Sequence, residues 1–133
     1  MAGDARSLVP EIAKKNPGGF DLVFLDFGDK SAYVDLLNCC IDALRVGGFL
    51  IADNTISGGT VASPENKRPN ARAIRRFNEL VFSEKMLDAA IIPLRIRDSP
   101  PYGFTVAYKN GERLNLCVRR QSTVSPMRSS SRI

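Results

Sequence analysis

Residues 20–54 read FDLVFLDFGDKSAYVDLLNCCIDALRVGGFLIADN. The stretch opens on Phe20–Leu25, apolar except for Asp21, directly after the turn Asn16-Pro17-Gly18-Gly19. A short continuous apolar run behind a Gly-rich turn predicts a strand buried on both faces. It stops at Asp26, and 27–30 is a turn. Over 31–45, Tyr33, Leu36, Leu37, Cys40, Ile41 and Leu44 recur at the spacing of an amphipathic helix. Asp29 or Ser31 is placed to cap its start, and Gly47-Gly48 to stop it. Residues 49–52 form a second buried strand that ends at Asp53-Asn54. A strand–helix–strand segment of this length is a βαβ unit, so its two strands run parallel.

Upstream, residues 5–15 place Leu8 and Ile12 four apart, which suits a short helix. Downstream, 57–70 is a polar loop. A helix follows over 71–82, with Ile74, Phe77 and Val81 on one face and Asn70 as its cap. Strands at 87–96 and 103–108 are joined by 97–102, and 114–118 can add a short edge strand. The sequence shows no internal repeat.

Composition narrows the chemistry. The 133 residues suffice for one core. The absence of histidine removes His-based triads and imidazole acid–base work. Cys39, Cys40 and Cys117 make neither a metal knuckle nor a disulfide framework, which points to a reduced, cytoplasmic setting. No apolar run approaches the ~20 residues of a membrane span. The net charge of +5 is concentrated at the end: Arg119, Arg120, Arg128 and Arg132 lie in the last 15 residues, which hold no acid. Residues 1–118 are left with 15 basic against 14 acidic groups, no footprint for nucleic acid. The five basic residues between Lys67 and Arg76 read as a solvated helix face.

Two parallel strands each end in an acid. Adjacent strand ends of an open α/β sheet face one crevice, where ligands bind. Asp26, Asp53 and Asn54 would lie together there as a hard-oxygen set suited to Mg²⁺. Strand-ending acids also cap the next helix or turn, and spacing alone admits both roles.

FDLVFLDFGDKSAY, LRVGGFLIADNTISGGTV, AIRRFNELV and the strand containing Pro93 together resemble the cation-dependent O-methyltransferases of the catechol and caffeoyl-coenzyme A type. The resemblance covers residues 3–109. It implies a Rossmann-like class I methyltransferase fold, with a mostly parallel sheet and a C-terminal antiparallel strand pair. It implies S-adenosylmethionine and a divalent cation such as Mg²⁺ as cofactors, and a small phenolic substrate with a vicinal diol. Carried over position by position, Asp26, Asp53 and Asn54 match the metal ligands. Lys30 matches the lysine that takes the substrate proton. Gly3, Asp4 and Ala5 match the motif lining the adenine ring, and Asp29 an acid near the cofactor.

The sequence departs from the family in places. Asp26 to Lys30 is four steps where the family has three, so Phe27-Gly28 carries an insertion, and Lys30 also reads as an exposed helix-start residue. No Glu-x-Gly-x-x-x-Gly loop for the methyl donor occurs, and Met1 stands two residues before Gly3. Residues 1–118 are therefore expected to form a partial, C-terminal portion of the methyltransferase domain, and 119–133 a disordered basic Ser/Arg-rich tail. The exposed edge of the Asp26 strand favours a homodimer. Two other functions fit the same pattern less fully. One is a non-catalytic remnant serving as an interaction module. The other is a phosphoryl-accepting regulatory domain, which Lys30's place so soon after the first acid disfavours.

Overall fold

The computed structural model describes residues 3–95 and 97–111, so the expectations for 114–118 and 119–133 lie outside the described residues. The elements run α1 (Ala5–Lys15), β1 (Phe20–Leu25), α2 (Ser31–Ala43), β2 (Leu44–Ala52), a short 3-10 segment (Ser57–Ala62), α3 (Pro69–Ser83), β3 (Leu87–Leu94) and β4 (Tyr102–Lys109).

The sheet is mixed and mostly antiparallel, which corrects the mostly parallel sheet expected from sequence. Its order is β1-β2-β4-β3, and only β1 and β2 pair in parallel. β3 runs in the same direction as β1 and β2, but β4 enters between β2 and β3 from the opposite end. Two of three pairings are therefore antiparallel. Burial selects β4 for the central place. Its inward residues Gly103, Thr105 and Ala107 are small and buried. A Cβ on Gly103 would come within 2.5 Å of the Ile92 carbonyl oxygen. Most of β3 is exposed, as suits an edge.

The βαβ unit forms, with Leu22 to Leu25 of β1 opposite Phe49 to Ala52 of β2. α2 buries Tyr33, Leu36, Leu37, Cys40 and Ile41 as its periodicity requires. It ends at Ala43, two residues early, and Gly47-Gly48 does not stop it. Leu44 is already extended and fully buried. Two of the terminal carbonyls are satisfied by Lys109 at the end of β4, whose Nζ donates to the Ile41 and Leu44 carbonyls at 2.9 and 2.7 Å, while the Gly18 amide donates to the Asp42 carbonyl at 2.9 Å. A buried cation thus does the work of a glycine cap. The two glycines instead make a bulge where β2 slips past β1. Gly47 has φ +83, and a Cβ on Gly48 would lie 3.0 Å from the Arg45 and Asp21 carbonyl oxygens.

The core lies between the helices and one sheet face, and joins Leu25, Tyr33, Leu36, Leu50, Phe77, Val81 and Ala107. Among the described residues β1 is an edge strand, and it is not buried on both faces, because no described element covers the sheet face away from the helices. Leu22 and Phe24 are 52% and 55% exposed. With Phe49 and Tyr108, whose rings pack 5.4 Å apart, they make an apolar surface on the sheet face away from the helices.

Candidate functional site

β1 and β2 end side by side. The Asp53 amide donates to the Leu25 carbonyl at 2.9 Å, which places Asp53 beside Asp26 at the C-terminal edge of the parallel pair. Burial raises the Asp53 carboxyl above the usual aspartate value, and the adjacent Asp26 raises it further by charge and by a shared hydrogen bond. Lys30 opposes the shift. Asn54 follows in the left-handed region at φ 52, a conformation asparagine tolerates better than most residues. Its Oδ1 accepts from the Ser57 amide at 3.2 Å. The expected cation ligands are thus brought to one place, with Asp26 exposed and the other two half-buried.

Lys30 is buried, not an exposed helix-start residue, despite the extra residue in its loop. Its Nζ donates to the Tyr33 hydroxyl at 2.6 Å and to the Asp53 carbonyl at 3.1 Å. Burial pulls the ammonium below the usual lysine value, while Asp53 and Asp26 resist that pull. Tyr33 is pushed up to about 12, chiefly by burial, so it remains a neutral phenol.

The residues expected near a cofactor lie at this same end. Asp4 is the N-cap of α1, its carboxylate accepting from the Ser7 amide and hydroxyl at 3.1 and 3.0 Å. Gly3 is exposed beside it and Ala5 packs partly on the core. The N-cap of α2 is Lys30, not Asp29 or Ser31; Asp29 stands one residue ahead of it and accepts from the Ser31 amide at 3.0 Å. It also pairs with Arg6 at 2.9 Å, and Arg6 reaches on to Asp35 at 2.9 Å. This ion-pair cluster fastens the start of α1 to the start of α2.

The donor set fits a hard divalent cation. Among the described residues no three His, Cys, Asp or Glu side chains come together as a metal cluster, so any cation here rests on two carboxylates and an amide. Tyr102, at the start of β4, donates to Asp53 Oδ1. Asp53 still keeps its second carboxylate oxygen and Asn54 a second lone pair. Open positions left to water or substrate oxygens are usual for Mg²⁺.

Sequence reasoning missed four residues that frame the site. Tyr102 comes from a connection with no periodic signal. Asn70 sits inside α3, not at its cap. Its side chain accepts from the Lys30 amide at 3.2 Å and donates to the Gly28 carbonyl at 3.1 Å. Asn78 and Thr105 are buried behind Asn54. Asn78 was findable, because it falls on the stripe of Ile74, Phe77 and Val81, where a polar residue needs a partner.

The βαβ unit, with its paired acids and buried lysine at the strand ends, defines an α/β protein. The O-methyltransferase family profile matches residues 1–100, and the chain belongs to this family, the cation-dependent S-adenosylmethionine O-methyltransferases. It is 33% identical to the caffeoyl-CoA O-methyltransferase of Stellaria longipes, over 71% of this chain and 42% of that protein. It is 29% identical to the catechol O-methyltransferase of Niastella koreensis, over 69% and 41%. Among solved structures, the O-methyltransferase from Bacillus cereus in complex with SAH superposes with a TM-score of 0.72 at 26% identity, covering 82% of this chain and 49% of that one. TomG from Streptomyces achromogenes, in complex with SAM, gives 0.71 at 25% identity, over 82% and 48%. The chain spans roughly two fifths to one half of the length of these relatives.

Proposed function

We propose that this chain carries the cation and proton-acceptor part of an S-adenosylmethionine-dependent, divalent-cation-dependent O-methyltransferase acting on a catechol-like or other vicinal-diol phenol. The observation that carries the reading is the meeting of Asp26 and Asp53 at adjacent parallel strand ends, with the buried Lys30 against them. The relatives named for catechol and caffeoyl-CoA support the substrate class.

When bound, the cation supplies Lewis acidity at the diol oxygens and the sulfonium supplies the methyl group. Asp26, Asp53 and Asn54 hold and orient the cation. Lys30 takes the phenol proton at Nζ. Its burial favours the neutral amine, and the Tyr33 hydroxyl fixes the direction of the side chain. Gly3, Asp4, Ala5 and Asp29 line one side of the cofactor. Positioning supplies most of the rate, since methyl transfer needs an in-line approach.

We read the setting as cytoplasmic, in keeping with the free thiols of Cys39 and Cys40. No described helix is long and apolar enough to cross a membrane. The uncovered sheet face favours a second copy of the chain as partner.

Ultraviolet difference spectra of catechol test the reading, because they report ionisation of the phenol. Saturable ionisation near neutral pH is expected with the chain and Mn²⁺, and its loss in Asp53→Ala. A spectrum indifferent to Mn²⁺ contradicts the proposal.

A further inference from the structure

A closed ring of hydrogen bonds sits directly behind the Asp53-Asn54 turn. Thr55 follows Asn54, and its amide donates to the Gly103 carbonyl at 2.9 Å. The Asn78 amide group on α3 donates to the Thr55 carbonyl at 3.2 Å. The Thr105 hydroxyl on β4 lies 2.9 Å from both the Asn78 Oδ1 and the Thr55 hydroxyl. One proton per hydroxyl settles the direction: Thr55 donates to Thr105, and Thr105 donates to Asn78. Thr55 and Thr105 are 1% exposed and Asn78 is 8% exposed. No buried side-chain polar atom among the described residues lacks a partner.

Buried polar groups on an otherwise apolar helix face cost stability unless every bond is made. An apolar residue at 78 would serve the core as well. What the polar ring adds is a fixed place for Thr55, and so for the left-handed Asn54 and the Asp53 before it. α3 grips the other ligand-bearing loop too, through Asn70 on Gly28 and Lys30. One helix thereby braces both loops.

We infer that Asn78 is a positioning residue for the candidate cation site, acting through Thr105 and Thr55 to hold the Asp53-Asn54 turn. The inference rests on the proposed function, in which Asp53 and Asn54 bind the cation. None of the three residues is among the proposed cation ligands. Their part is to set the direction of its ligands, as hydrogen bonds behind metal ligands do elsewhere at a cost of ~10–100-fold in affinity when lost.

The test is Mn²⁺ binding to the full chain, followed by electron paramagnetic resonance of the free ion. Thr105→Val keeps the shape and removes the hydroxyl. Thr105→Ser keeps the hydroxyl and removes a methyl. Thr55→Val breaks the same ring from its other side, and serves if Thr105→Val does not fold. Circular dichroism confirms folding at the titration temperature. A rise in Kd of about 10-fold or more is expected for either valine variant, with Thr105→Ser within ~3-fold of wild type. A merely structural role would make affinity follow stability, not the hydroxyl. Valine variants that bind like wild type, or a serine variant that loses as much as valine, overturn the positioning role while the cation site stands. A wild-type chain that does not bind Mn²⁺ overturns the cation site, and the inference with it.

Discussion

Lys30 and Tyr33 stand one helical turn apart, with the Lys30 Nζ 2.6 Å from the Tyr33 hydroxyl. That hydroxyl in turn lies 2.9 Å from the Leu25 carbonyl and 3.1 Å from the Asp53 carbonyl. One phenol oxygen thus links the lysine to the ends of β1 and β2. The Tyr33 ring meets Phe77 edge-on at 5.3 Å, a contact that phenylalanine retains. Tyr33→Phe therefore isolates the hydroxyl. The Leu25 carbonyl keeps the Asp53 amide and the Asp53 carbonyl keeps Lys30 Nζ, so only the bonds of the hydroxyl itself are lost, and a loss of about 0.5–1.5 kcal/mol is expected from urea unfolding. An unchanged midpoint would show that the hydroxyl is no link.

The raised Asp53 carboxyl gives stability a pH dependence of unusual sign for an acid. Between the unfolded aspartate value and the higher folded one, the native state holds more proton than the unfolded state. Stability from this group is fully present below the unfolded value and is lost as pH rises through the folded one. Asp53→Asn removes the titration, so its stability between pH 4 and 7 is expected to decline less than that of wild type. Urea midpoints at several pH values check this, and parallel profiles for the two proteins would contradict it.

Leu22, Phe24, Phe49 and Tyr108 expose an apolar face beside the open edge of β1. Such edges pair with other strands unless blocked by charge. The purified chain is expected to self-associate, and Leu22→Lys with Phe24→Glu to shift sedimentation toward the monomer. A wild type that sediments as a monomer at micromolar concentration would count against the face as a contact surface.

These 133 residues by themselves are expected to turn over slowly. Asp4 is committed to the α1 cap and Asp29 to Arg6 and Ser31, so both carboxylates already have partners within the chain. The sequence holds no Gly-rich donor loop. Misplacement of the reacting atoms by about 1 Å costs ~10²-fold. A radiolabelled methyl-transfer assay with catechol and Mg²⁺ measures it. A kcat near the ~10 s⁻¹ of ordinary enzymes would contradict the expectation.

The βαβ unit was legible because α2 carries a clean helical stripe and each strand ends in an acid. Those acids marked the candidate site, since parallel neighbours must finish at the same edge. The order of β3 and β4 was not legible. Two consecutive antiparallel strands look alike in sequence, and only the small inward residues of β4 mark it as central. The end of α2 was misread because glycine is the usual stop, while Lys109, 65 residues beyond Leu44, supplies the cap. Thr55, Asn78 and Thr105 belong to three separate elements, so only the packed fold brings them together.

Asp26, Asp53 and Asn54 are expected together to hold a divalent cation. Calorimetric titration of the chain with Mg²⁺ tests it most directly, with Asp26→Ala and Asp53→Ala alongside wild type. Saturable one-site binding is expected in wild type. Loss of a carboxylate is expected to weaken it severely, because Mg²⁺ demands near-octahedral oxygen ligands and tolerates few substitutes. Equal heats and affinities in all three proteins would contradict the account.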